Sequence, residues 1–89
     1  MTIVELLEQK FSIYVILQVK NNPGASKSQV IGVGNERTKY LRIEDMIANG
    51  IIMTDGIKRE YNTMKLYLTP KGQEIANYLQ KIADLDNEQ

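Results

Sequence analysis

The chain has 89 residues, 43% hydrophobic and 25% charged, with eleven basic and eleven acidic side chains in formal balance. Those proportions describe one compact soluble domain, and a chain so short buries only about 60–65% of its unfolded surface. Cysteine and histidine are both absent, which excludes disulfides, thiol chemistry and Cys/His metal sites and removes the commonest general base. Neither catalysis, nor a metal, nor a cofactor is expected.

In chain order, Thr2 and Glu5 have capping-box spacing before Ile3, Leu6 and Leu7, which line one face of a short helix. Ser12 is placed to cap a second helix through about Asn21, with Ile13, Ile16 and Leu17 inward, and Asn22-Pro23-Gly24 stops it. Ser26 and Gln29 form a second capping-box pair and open a short helix carrying Val30 and Ile31. Gly32-Val33-Gly34 reads as a tight turn whose one apolar residue plugs the core. Asn35 then caps a helix over 36–49, where Glu36 complements the positive helix end. The apolar stripe of that helix is Tyr40, Ile43, Met46 and Ile47, with Arg37, Thr38 and Arg42 away from it.

Gly50 can take the left-handed conformation that ends a helix. Met64, Leu66 and Leu68 alternate with Lys65 and Tyr67, the period of a half-buried strand. Asp55-Gly56 is a two-residue hairpin signal that would pair Ile51–Thr54 with Ile57–Tyr61. The preferred pairing is Ile51–Thr54 with Met64–Leu68, because only the latter offers a clean apolar face; residues 55–63 then form a long basic tip. Thr69 is a good N-cap and Pro70 falls at the first helical position of a last helix, 70–85. Ile75, Tyr78, Ile82 and Leu85 recur along it at a/d spacing. The expected organisation is a single domain over 1–85 with a disordered tail, 86–89. No apolar run approaches the roughly 20 residues of a membrane span, and Glu5 and Glu8 interrupt any signal-peptide layout. A cytoplasmic protein without membrane association is the expectation.

The neutral total conceals a gradient. Residues 1–19 carry Glu5, Glu8 and Lys10, a net −1; residues 20–72 hold nine basic against five acidic side chains, a net +4; residues 73–89 hold one basic against four acidic, a net −3. A basic middle between acidic ends suits a domain that turns one face to phosphate. A short helix, a glycine turn and a longer basic helix are also what a helix-turn-helix requires, its second helix entering a major groove about 12 Å wide.

The run from Gly50 through the hairpin to LTPKG at 68–72 resembles the wing of the winged helix-turn-helix superfamily of prokaryotic transcriptional regulators, in the style of minimal MarR-like and PadR-like domains. The resemblance covers nearly the whole chain. It implies a mainly α fold with a small β-hairpin, of the α+β class, and binding to double-stranded DNA. The helix 36–49 would read the major groove, the wing 55–63 would touch the backbone or minor groove, and terminal helices would make a homodimer.

On this reading Arg37, Thr38 and Arg42 are the candidates for base readout, since Arg holds guanine in two-point contact. Ser26, Lys27, Ser28, Lys39, Lys58, Arg59 and Lys65 are the candidates for phosphate. Ile75, Tyr78, Ile82 and Leu85 are the candidate dimer seam. Each has a plainer alternative: a solvated helix face for the arginines, N-capping for the serines, charge that protects an exposed hairpin for Lys58 and Arg59, and ordinary core packing for the apolar stripe. Tyr40 is expected in the core and Tyr67 on the surface. Glu44 and Asp45 diverge by about 100° and cannot converge on one substrate. The rival function is a winged helix used for protein–protein interaction in a transcription or replication assembly.

Overall fold

The computed structural model describes residues 2–55 and 64–87. The elements run α1 (Ile3–Leu7), α2 (Ser12–Asn21), α3 (Lys27–Ile31), α4 (Glu36–Ala48), β1 (Ile52–Thr54), β2 (Leu66–Leu68) and α5 (Pro70–Asp84), with a 3-10 turn at Leu85–Asn87. The strands pair antiparallel in the register Ile52↔Leu68, Met53↔Tyr67 and Thr54↔Leu66. The pairing that skips Asp55-Gly56 is therefore the one adopted. It buries Leu66 completely and packs Leu68 against the core.

The core lies between α2, α4, the hairpin and the first turns of α5. Val15, Ile16, Ile43, Met46, Ile51, Leu66 and Ala76 are all fully enclosed there, together with Leu6 from α1. Both expected capping boxes form, at Thr2/Glu5 and Ser26/Gln29. Hydrogen bonds from the backbone and side chain of Thr2 hold the Glu5 carboxyl below its ordinary pKa.

α2 differs from its expected arrangement by one position. Ser12 is the first helical residue rather than the cap, and its buried hydroxyl donates to the Leu6 carbonyl at 2.6 Å. The inward face is consequently Ser12, Val15, Ile16 and Val19, a strict i, i+3, i+4, i+7 set. Ile13 is left outside it and exposed.

A third chain segment joins the hairpin. Gly24 donates from its N–H to the Leu66 carbonyl, Leu66 donates to the Ala25 carbonyl, both at 2.9 Å, and Ser26 bridges Lys65 antiparallel. β2 is thus held on both edges, and the start of α3 is tied to the base of the wing.

The end of α4, the start of β1 and the start of α5 meet at one place. Gly50 sits at φ +72; its N–H reaches the Ile47 carbonyl and that of Ile51 the Met46 carbonyl, the two bonds of a Schellman motif. Thr69 donates from its backbone to the Ile51 carbonyl at 3.0 Å and from its hydroxyl to the Gly50 carbonyl at 2.6 Å. The same hydroxyl caps α5 by accepting from the Gly72 N–H at 3.0 Å. Gly72 packs so closely that a Cβ there would lie 2.0 Å from the Ile51 carbonyl oxygen.

Backbone cannot yield as a side-chain tip can, so Gly72→Ala is expected to destabilise the domain by on the order of 1–3 kcal/mol or more. Gly34→Ala, which meets no atom within 4 Å at φ +82, is expected to cost only its left-handed strain, about 1 kcal/mol. Urea denaturation of the two variants checks the order; equal midpoints would contradict the close packing at Gly72.

Candidate nucleic-acid interface

α3, its glycine turn and α4 form the helix-turn-helix. The turn relies on positive φ at Gly32 and Gly34, and Asn35 is also left-handed at φ 55. Asn35 occupies the N-cap position of α4 without a side-chain bond to the helix. The Glu36 carboxylate instead accepts from the Gly34 N–H at 3.0 Å. Hydrogen bonds from the backbone N–H groups of Glu36 and Gly34 lower its pKa below the ordinary carboxylate value.

Val33 does not plug the core. With a left-handed glycine on either side, its side chain is turned outward and is 95% exposed, while its carbonyl faces the ammonium of Lys39 at 3.5 Å. Lys39, a candidate for phosphate, is the residue that fills the space. It is only 7% exposed. Its Nζ donates to the Ile31 carbonyl at 3.1 Å and lies 4.6 Å and 5.2 Å from the ring centroids of Tyr14 and Phe11. One cation therefore caps the negative end of α3, stacks on aromatic faces of α2 and its cap, and belongs to α4.

Lys27 is likewise turned inward, paired with Glu44 and held 5.0 Å above the Tyr40 ring. It braces α3 against α4 rather than offering itself to phosphate. Arg42 is partly withdrawn as well. Its Nη1 donates to the Asp45 carboxylate at 2.8 Å, and its Nε is buried without a hydrogen-bond partner. A two-point contact to guanine would require this guanidinium to turn away from Asp45.

On the outer face of α4, Arg37 is exposed and Thr38 half-buried. Leu41 shares that face and was not singled out by its periodicity, because it falls off the apolar stripe. Ser28 and Lys65 are exposed; Ser26 is half-buried, its hydroxyl 3.2 Å from that of Ser28. Lys58 and Arg59 lie outside the described residues. Along α5, Ile75 packs against the domain's own core, whereas Tyr78, Ile82 and Leu85 stand about 60% exposed at 59%, 62% and 60%. Among the described residues no group of His, Cys, Asp and Glu could hold a metal ion, and no helix is long and apolar enough to cross a membrane.

Replacing Lys39 by Met keeps the side-chain length but leaves the Ile31 carbonyl without its donor. The expected cost is about 1–3 kcal/mol of stability, whereas Arg37→Ala, on the open face, should stay within about 0.5 kcal/mol. Thermal unfolding of both variants tests the assignment; a Lys39→Met protein as stable as the parent would return Lys39 to the set of available surface cations.

No protein-family model and no curated protein matches this chain. Solved structures do. A possible HxlR family transcriptional factor from Thermoplasma volcanium GSS1 superposes with a TM-score of 0.72 at 23% identity, over 99% of this chain and 84% of that one. FabT of Streptococcus pneumoniae, solved in complex with DNA, gives 0.71 at 20% identity over 96% of this chain and 65% of its own. MarR of Staphylococcus aureus, in complex with salicylate and kanamycin, gives 0.71 at 18% over 94% and 59%. The chain thus spans less than two thirds of the last two. With α3 and α4 across a glycine turn, a hairpin running into α5 and these likenesses, the chain has the winged helix-turn-helix fold.

Proposed function

We propose that this domain is a transcriptional regulator that binds double-stranded DNA sequence-specifically, as a homodimer and not as an enzyme. The carrying observation is the disposition of α4: Ile43 and Met46 anchor it in the core, Lys27 and Lys39 brace it against α3, and its outer face carries an exposed Arg37 beside a half-buried Thr38. A braced helix with an open outer face suits insertion into a major groove. The DNA complex of a similarly folded protein, FabT, supports the same reading.

In this reading Arg37 and Thr38 contact bases, and Arg42 joins them where Asp45 releases it. Phosphate contacts fall to Lys65 and Ser28, with Ser26 beside it, and to Lys58 and Arg59 on the wing. Three such cations per protomer give six in a dimer, so log K against log salt should have a slope of roughly −5, through counterion release. Titration of a duplex selected from random sequence, at several salt concentrations, measures it. Lys58→Ala with Arg59→Ala should make the slope shallower and weaken all sequences about equally. A slope near zero would reject phosphate-driven binding.

The dimer reading rests on α5. Ile82 and Leu85 continue the apolar stripe beyond Leu79, the last residue of the helix that the domain's own core buries, and Tyr78 stands exposed beside it. Covering an aliphatic side chain is worth about 1.5–3 kcal/mol, so two or three per chain suffice for a second copy to hold. Leu6, on the N-terminal helix, is already consumed by the core. Ile82→Glu with Leu85→Glu should therefore give a folded monomer that loses most DNA affinity. Sedimentation velocity reads this directly; an unchanged dimer would move the interface off α5.

The protein-interaction reading draws on a different observation, the exposure of Val33 and Leu41 on the helix-turn-helix face. Absence of duplex binding at low salt would favour it.

A further inference from the structure

Leu41 is the anomaly of α4. At about 100° per residue it lies some 200° around the helix from Ile43, which is fully buried, and it is 45% exposed. Its neighbours one turn away are all polar: Arg37 and Thr38 before it, Glu44 and Asp45 after it. It is thus the one large aliphatic side chain centred in the outer face of α4, not the edge of the core stripe.

The charged residues around it narrow what the face can say to DNA. Glu44 is engaged by Lys27, and Asp45 by Arg42. While Asp45 holds Arg42, what the face offers for direct contact is Arg37, Thr38 and the isobutyl group of Leu41. In the major groove one base-specific group is apolar, the C5-methyl of thymine. We propose that Leu41 is a specificity-determining residue that selects thymine by packing on its C5-methyl, next to the base contacted by Arg37. The assignment rests on the DNA-binding reading above and names the sequence element it recognises.

The test removes the methyl alone. Deoxyuridine replaces thymine one position at a time in a duplex selected for tight binding, which leaves every base-pair hydrogen bond intact. One thymine per half-site should be sensitive, losing about fourfold in affinity, the equivalent of about 0.8 kcal/mol for one methyl-sized group. In Leu41→Ala the sensitivity at that position should vanish while other positions and the salt slope stay as they were. The variant should keep the parent's circular dichroism and unfolding midpoint, because no core contact is removed. Tight binding with no sensitive thymine, or a sensitivity that persists in Leu41→Ala, would overturn the role of Leu41 and leave the DNA reading standing. Failure of the parent to bind any duplex would overturn both.

Discussion

Everything this domain presents outward depends on how α4, β1 and α5 converge at the Ile51 carbonyl. That oxygen accepts from the Thr69 N–H and lies against the bare Cα of Gly72, while the Gly50 carbonyl beside it accepts the Thr69 hydroxyl. Three elements separated by some twenty residues of chain are locked by four backbone groups. Only glycine at 72 permits the approach. Lys71 adds a reach to the Asn49 carbonyl at 3.4 Å, placing a positive charge at the negative end of α4. The seating of α4 against the base of the hairpin is set here, chiefly by main-chain groups together with the Thr69 hydroxyl.

The second constraint is the brevity of α3. Five residues cannot hold a helix by propensity, and only Val30 and Ile31 offer apolar burial from it. The domain compensates with cations. Lys27 reaches across to Glu44 and the Tyr40 ring, and Lys39 reaches back to the α3 carbonyl end and the rings of Phe11 and Tyr14. Both contacts cross the helix-turn-helix, so they fix the orientation of α4 from opposite ends of α3. The basic character of the middle of the chain is therefore partly internal structure.

Local chemistry made most of the fold legible. Both capping boxes, the Thr69-Pro70 helix start, the Gly50 stop and the alternation that marks 64–68 as the strand partner all rest on residues within a few positions of one another. Long-range contacts were not legible. The bridge from Ser26 to Lys65 involves too few residues to carry a period, and Asn22-Pro23-Gly24 looks only like a stop. The inward turn of Lys27 and Lys39 depends on aromatic rings and carbonyls brought from other helices, which no charge count can place. Val33 and Ile13 went the same way: both are apolar, and both were expected inside because hydrophobicity was read without the backbone geometry that turns them out. Lys58 and Arg59, expected on the wing, lie outside the described residues.

With two lysines committed to bracing and Arg42 tied to Asp45, the helix-turn-helix itself turns only Arg37 outward among its basic side chains. Non-specific attraction is then weak, consistent with a chain of zero formal net charge. Useful affinity in such a case comes from joining two modest contacts, because the second engagement is intramolecular once the first has formed. On the proposed function the exposed end of α5 would supply the apolar surface for that joining, and the two demands would not compete for the same residues. On the proposed reading a sparse charge pattern would also shift discrimination away from electrostatics and toward groups that must fit, such as Arg37 and Leu41, whose contacts would be lost at a wrong base while phosphate contacts would not.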